Sequence, residues 1–152
     1  VRENIAFYHP QASDAEILKA IEVTGLTDLL KELPLGLDTI LGEGARTLSG
    51  GPAQRIALAR AFLDQERKIL LFDEPTAHLD IETEVELKER MLPLMDNHLV
   101  FFATHRLHWL AEMDYLLVMD HGKLVEQGTL EELKQKNGAF TKLSQALRGE
   151  KG

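Results

Sequence analysis

Lys68-Ile69-Leu70-Leu71-Phe72-Asp73-Glu74-Pro75-Thr76-Ala77-His78-Leu79-Asp80 is the stretch on which the reading of this chain turns. Ile69 to Phe72 is continuously apolar, the pattern of a short strand covered on both faces, as in a parallel sheet. Period alone leaves a buried helix segment open. The run ends in adjacent carboxylates, Asp73 and Glu74, and Pro75 breaks the element after them. Ligands of open α/β sheets bind outside the carboxyl ends of the strands, which puts the two acids at a site. One carboxylate beside a divalent cation and another holding a water is what nucleotide hydrolysis needs. The dipeptide alone is equally compatible with a strand running into an acidic surface turn.

Upstream, Leu48-Ser49-Gly50-Gly51-Pro52-Ala53-Gln54 opens an amphipathic stretch in which Ile56, Ala59, Phe62 and Leu63 recur at helical spacing. Ser49 suits the N-cap, and Pro52 suits a first turn where its missing N–H is no loss. The glycines let a ligand approach the backbone closely, and the amides of a helix start attract anions. Standing alone, Ser-Gly-Gly would be a simple cap.

Together these residues carry a resemblance. Leu48–Gln54, the Ile69–Glu74 strand with its acids, Ala77–Asp80 and Thr104-His105 resemble, in that order, four signatures of the ABC-type ATPases. They are similar to the family's signature loop, its Walker B strand with the following glutamate, its D-loop and its switch histidine. The resemblance runs over essentially the whole chain. It implies an α/β fold, a partial P-loop NTPase of the ABC ATPase type, with a helical subdomain and a mostly parallel core sheet lacking the phosphate-loop strand. In that scheme residues 1–60 form the helical subdomain and signature helix, and residues 66–152 carry Walker B, the D-loop, the switch histidine and a C-terminal region.

The resemblance also implies roles. Asp73 would help hold Mg²⁺, Glu74 would polarise the attacking water, and His105 would contact the γ-phosphate of ATP. Ser49, Gly50, Gly51 and Gln54 would face the ATP of the opposite subunit, and Asp80 would link the two sites. Pro52 stands where the family usually has Gln, and His78 where it more often has Ser. The implied partners are a second, homologous ATPase subunit, in a heterodimer, and a transmembrane domain fused upstream, at the cytoplasmic face of a bacterial membrane. Val1–Ile5, the Gly42–Arg46 loop and Thr104-His105-Arg106-Leu107 resemble exporters. Residues 75–84 and 105–109 are similar, more narrowly, to the heterodimeric thiol exporter associated with cytochrome bd assembly, which moves glutathione or cysteine. A soluble ABC ATPase of translation or DNA repair is the alternative, as is a regulatory module that offers only its signature face to a partner.

Composition bounds these readings. The chain has 152 residues, 44% of them hydrophobic, enough for one core. No run approaches the ~18–20 apolar residues of a membrane span. There is no Cys, hence no disulfide framework or thiolate metal site. A net charge of −8 argues against a nucleic-acid face. No Gly-x-x-x-x-Gly-Lys-Ser/Thr loop is present; the one Gly-Lys, at 122–123, precedes Leu. The family places that loop and its strand before the position of Val1. The chain therefore reads as the carboxyl-terminal portion of an ATPase domain, with exposed sheet edges, weak stability on its own and no ATPase activity by itself.

The remaining expectations are local. Ser13 with Glu16, and Thr129 with Glu132, form capping boxes. Gly25 ends the first of these helices, Thr27 to Leu33 is a short helix, and the last helical region runs to about Leu147. Gly42-Glu43-Gly44-Ala45-Arg46-Thr47 lacks the third glycine of a dinucleotide fingerprint and is rejected as one. It is similar instead to an exporter loop that touches the transmembrane partner. Ile81 to Met95 reads as a helix whose acids at 82, 84, 86 and 89 face solvent, kinked or ended by Pro93, and Asp80 could be its N-cap. Leu99 to Ala103 is a second buried strand. His105 and His108 have metal-pair spacing without converging ligands. Trp109 and Leu110 pack a short helix, and Tyr115–Met119 with Leu124–Gln127 form a hairpin.

Overall fold

A computed structural model describes residues 1–42, 48–64 and 66–149. The exporter-like loop expected at Gly42–Arg46 lies outside the described residues from Glu43 onward. The chain forms two units, Val1–Phe102 and a second beginning at Ala103.

In the first unit, helices α1 (Arg2–Ile5) and α2 (Asp14–Val23) pack against α4 (Gly50–Leu63), and the short α3 (Thr27–Glu32) follows α2. The Ser13 capping box is present: the Ser13 hydroxyl accepts from the Glu16 N–H, and the Ser13 N–H donates to the Glu16 carboxylate. Gly25, at φ 66°, closes α2, with the Leu26 N–H on the Ile21 carbonyl and the Gly25 N–H on the Glu22 carbonyl. This is the double bond of a Schellman end, and the left-handed backbone it needs suits glycine. The core joins Ile5, Ile17, Ala20, Ile21 and Leu26 to Ile56, Ala59 and Leu63 of α4. The apolar positions recognised in the helix after Ser49 are all buried, and Leu58 is buried with them.

Strand β1 (Ile69–Asp73) lies beside β2 (Leu99–Ala103), connected through α5 (Ile81–Met95). The Leu99 N–H donates to the Lys68 carbonyl at 2.9 Å, setting strand start beside strand start, the parallel arrangement of a βαβ unit. Phe62 of α4 packs on Phe72 of β1 at 5.6 Å, and Phe72 on Phe102 at 5.7 Å, so one face of the sheet is covered. The other is open: Ile69 is 54% exposed, Leu71 74%, Leu99 56% and Phe101 50%. The expectation of strands covered on both faces is met on one face alone.

Helix α5 narrows one expectation and departs from another. Pro93 sits inside it, and the helix continues to Met95. The proline's missing N–H removes one ladder bond, and its ring crowds the carbonyl one turn back. Glu84, read as part of a solvated face, is completely buried. The Thr76 hydroxyl donates to its carboxyl group, which gives this buried polar group a partner inside the protein.

In the second unit, β3 (Leu116–Asp120) and β4 (Lys123–Gly128) form the antiparallel hairpin. His121 and Gly122 turn the chain with φ of 45° and 72°, both left-handed, as a two-residue type I′ turn requires. Val118 pairs with Glu126 and Met119 with Leu124, so a bulge accommodates Val125. Helices α6 (Leu130–Lys136) and α7 (Ala139–Gly149) follow, separated by left-handed Asn137. Leu116, Val118, Leu133 and Phe140 form this unit's core. The Thr129 capping box is present, and Trp109 is fully buried in a 3₁₀ turn, Leu107–Glu112.

Candidate functional site

The carboxyl end of β1 delivers Asp73 to the surface, and the chain reverses at once. Glu74 has φ 45°, left-handed for a residue that carries a Cβ. Such a conformation costs on the order of 1–2 kcal/mol and persists where the surroundings over-determine it. Those surroundings are visible. The Glu74 carbonyl accepts from the Ala77 N–H at 3.2 Å and from Nε2 of Gln54 at 2.8 Å. Thr76, two residues on, is buried and bonded to Glu84 of α5.

Gln54 belongs to the second turn of α4. Its Oε1 accepts the His78 N–H at 3.1 Å, so one side-chain amide spans the turn from Glu74 to His78. Both ends of the Gln54 side-chain amide are thus engaged by backbone. At the start of α4, Ser49 occupies the N-cap with extended backbone, but its side chain makes no capping bond. The amides of Gly50 and Gly51 lie outside the helical ladder, and Pro52 offers none. A Cβ on Gly50 would sit 3.4 Å from the His78 ring, and one on Gly51 3.5 Å from the His78 carbonyl. The Ala77–Asp80 segment lies against the helix start, and a Cβ at either glycine would make ordinary contact with it.

Asp80 caps α5. Its Oδ1 accepts the Thr83 N–H at 2.9 Å and its Oδ2 the Thr83 hydroxyl at 2.7 Å. These bonds, the backbone one foremost, hold its carboxyl below the usual range. The cap considered from sequence is real.

Ser49, Gly50, Gly51, Gln54, Asp73, Glu74 and Asp80 all belong to the first unit, within the α4 start, the β1 end and the α5 start. His105 belongs to the second unit, past the end of β2. There the Arg106 N–H donates to the Thr104 hydroxyl at 3.0 Å, a side-chain-closed turn with His105 at its centre. Two contributors escaped the sequence reading. Glu84 continues the buried stripe of Leu87, Met91 and Met95 at helical spacing, a signal that was legible. The bracing role of Gln54 had no such signal, because its partners are backbone groups remote in sequence.

Chemically, the arrangement sets an exposed carboxylate and a half-buried one side by side at a strand end, next to a glycine-rich helix start. Among the described residues no group of three His, Cys, Asp or Glu side chains converges as a metal cage. Mg²⁺ is commonly held by one or two carboxylates together with substrate phosphates, so Asp73 suits it without a cage.

Comparison with known proteins agrees with this geometry. Residues 1–77 match a family model described as ABC transporter. The chain is 58% identical over 148 residues to the glutathione/L-cysteine transport system ATP-binding/permease protein CydC of Bacillus subtilis, covering 97% of this chain and 26% of that protein. It is 41% identical over 141 residues to an ATP-dependent lipid A-core flippase of Neisseria meningitidis, covering 93% of this chain and 22% of the flippase. A solved bacterial Atm1-family ABC exporter with ATP bound superposes with a TM-score of 0.82 at 38% identity, over 93% of this chain and 24% of that one. The chain thus spans about a quarter of the length of each of these relatives. With the glycine-led helix, the acid-tipped strand and the turn that follows the strand in place, this chain belongs to the ABC transporter family.

Proposed function

We propose that this chain is part of the ATPase domain of an exporter that moves small thiols such as glutathione or cysteine, working at the cytoplasmic face of a bacterial membrane. The observation that carries the ATPase reading is the junction of the α4 start with the Glu74 turn, made by Gln54. It joins a phosphate-facing backbone to a carboxylate that can orient water. The thiol reading is supported by the 58% identity to a glutathione/L-cysteine transport protein, against 41% to the lipid A-core flippase.

In this reading Glu74 orients the attacking water, from a residue whose backbone is held left-handed at φ 45°. Asp73 would hold Mg²⁺, which supplies charge neutralisation at the phosphates when bound. Ser49, Gly50 and Gly51 would cap the γ-phosphate of a nucleotide held by the partner subunit, using backbone amides at a helix start. His105 would donate to that phosphate in its own subunit's site. Asp80, while capping α5, would carry the Ala77–Asp80 segment across the dimer. The partner is a homologous subunit in a heterodimer, and the transmembrane helices are fused to this domain.

The test is transport in inside-out vesicles containing the full-length exporter and its partner. ATP-dependent accumulation of glutathione or cysteine, lost in Glu74→Gln, is the expected result. ATP hydrolysis without accumulation of either thiol would remove the substrate assignment and leave the ATPase assignment standing.

A further inference from the structure

Gln54 reaches from the α4 start to the backbone of Glu74, and this role does not follow from the function above. Its Nε2 donates to the Glu74 carbonyl at 2.8 Å while its Oε1 accepts the His78 N–H at 3.1 Å. The residue it grips has φ 45°, a conformation a glutamate adopts under constraint. On α4, Gln54 lies one turn past Gly50 and Gly51, on the same side of the helix. His78 closes the remaining space, with its ring 3.4 Å from the Cβ position of Gly50. A shift of the helix start therefore bears on Glu74 through this amide.

We propose that Gln54 is a positioning residue for Glu74, fixing the backbone that aims the water-orienting carboxylate and tying it to the Ser49–Gly51 face. It touches no reacting atom. Losing it leaves the Glu74 carbonyl with the Ala77 N–H bond and without the shorter bond from Gln54, and takes this acceptor from the His78 N–H, so nucleotide still binds but the carboxylate is held in its productive pose a smaller fraction of the time. Misplacement of this kind lowers kcat and leaves KM little changed.

The proposal rests on the ATPase reading, and the experiment separates the two. ATP hydrolysis is measured for the full-length exporter with its partner, unmodified and as Gln54→Ala, Glu74→Gln and the double variant. The expected result is a kcat about tenfold lower in Gln54→Ala with KM for ATP within about twofold. In the Glu74→Gln background, adding Gln54→Ala changes the residual rate by less than about twofold, because the residue through which Gln54 acts is already gone. Gln54→Glu is the second variant. It keeps the side-chain length and the acceptor for His78 but turns an oxygen toward the Glu74 carbonyl, so the same loss of kcat is expected even if Gln54→Ala fails to fold. Unchanged kcat in both Gln54 variants, or the same fold-loss with and without Glu74, overturns the proposal. Absence of hydrolysis in the unmodified exporter overturns the ATPase reading instead.

Discussion

The Thr76 hydroxyl donates to the carboxylate of Glu84, and both side chains are buried, one in the turn after Glu74 and the other in the first turn of α5. The bond fastens the segment that follows the catalytic-acid candidate to the helix behind it. A buried carboxylate is tolerated because donors reach it, and removing a donor costs more than the bond itself contributes. Thr76→Val keeps the shape and deletes the hydroxyl. We expect it to destabilise the protein by about 1–3 kcal/mol in urea unfolding. A loss below a few tenths of a kcal/mol would mean the hydroxyl is dispensable to Glu84.

Gly50→Ala separates ligand approach from folding. An added Cβ meets the His78 ring at 3.4 Å, an ordinary contact, and alanine favours helix over glycine. Thermal stability should therefore be unchanged or slightly higher. A phosphate that must approach the same backbone would be obstructed, so ATP hydrolysis by the assembled exporter should fall by about tenfold or more. Unaltered hydrolysis would take the α4 start out of the nucleotide site.

Asp80 predicts a pH dependence. Its folded carboxyl is held below the usual value, first by the Thr83 N–H. A lowered folded pKa contributes stability above the unfolded pKa of about 3.9, and that stability is lost as pH falls through the folded value. Asp80→Ala should melt below the unmodified protein at neutral pH. The gap should narrow on acidification below about pH 4, as the unmodified carboxyl takes up its proton. A gap that is constant with pH would assign the loss to something other than the charged cap.

The hairpin of the second unit can be tested by itself. Gly122 sits at φ 72°, and a Cβ added there would have nothing within 4 Å, so substitution meets backbone strain and no clash. Gly122→Ala should cost about 1 kcal/mol, and Gly122→Asn less, since Asn tolerates the left-handed region. Equal losses in chemical denaturation would argue that the turn leaves its type I′ form.

Much of this protein could be read from the order of its residues because the relevant physics is local. The capping boxes at Ser13 and Thr129 close over three residues, Gly25 ends a helix with its own backbone, and His121-Gly122 turns a hairpin by conformational preference. Family membership was likewise legible in Leu48–Gln54, Ile69–Glu74 and Ala77–Asp80, whose residue types and order suffice. Tertiary structure decided the rest. Glu84 finds its buried partner in Thr76, eight positions away, Ile69 and Leu71 are exposed on the open face of the sheet, and Gln54 meets backbone twenty positions away. Periodicity and local propensity report what a residue does to its own segment. Burial, and the partner of a buried polar group, depend on which segments the fold brings together.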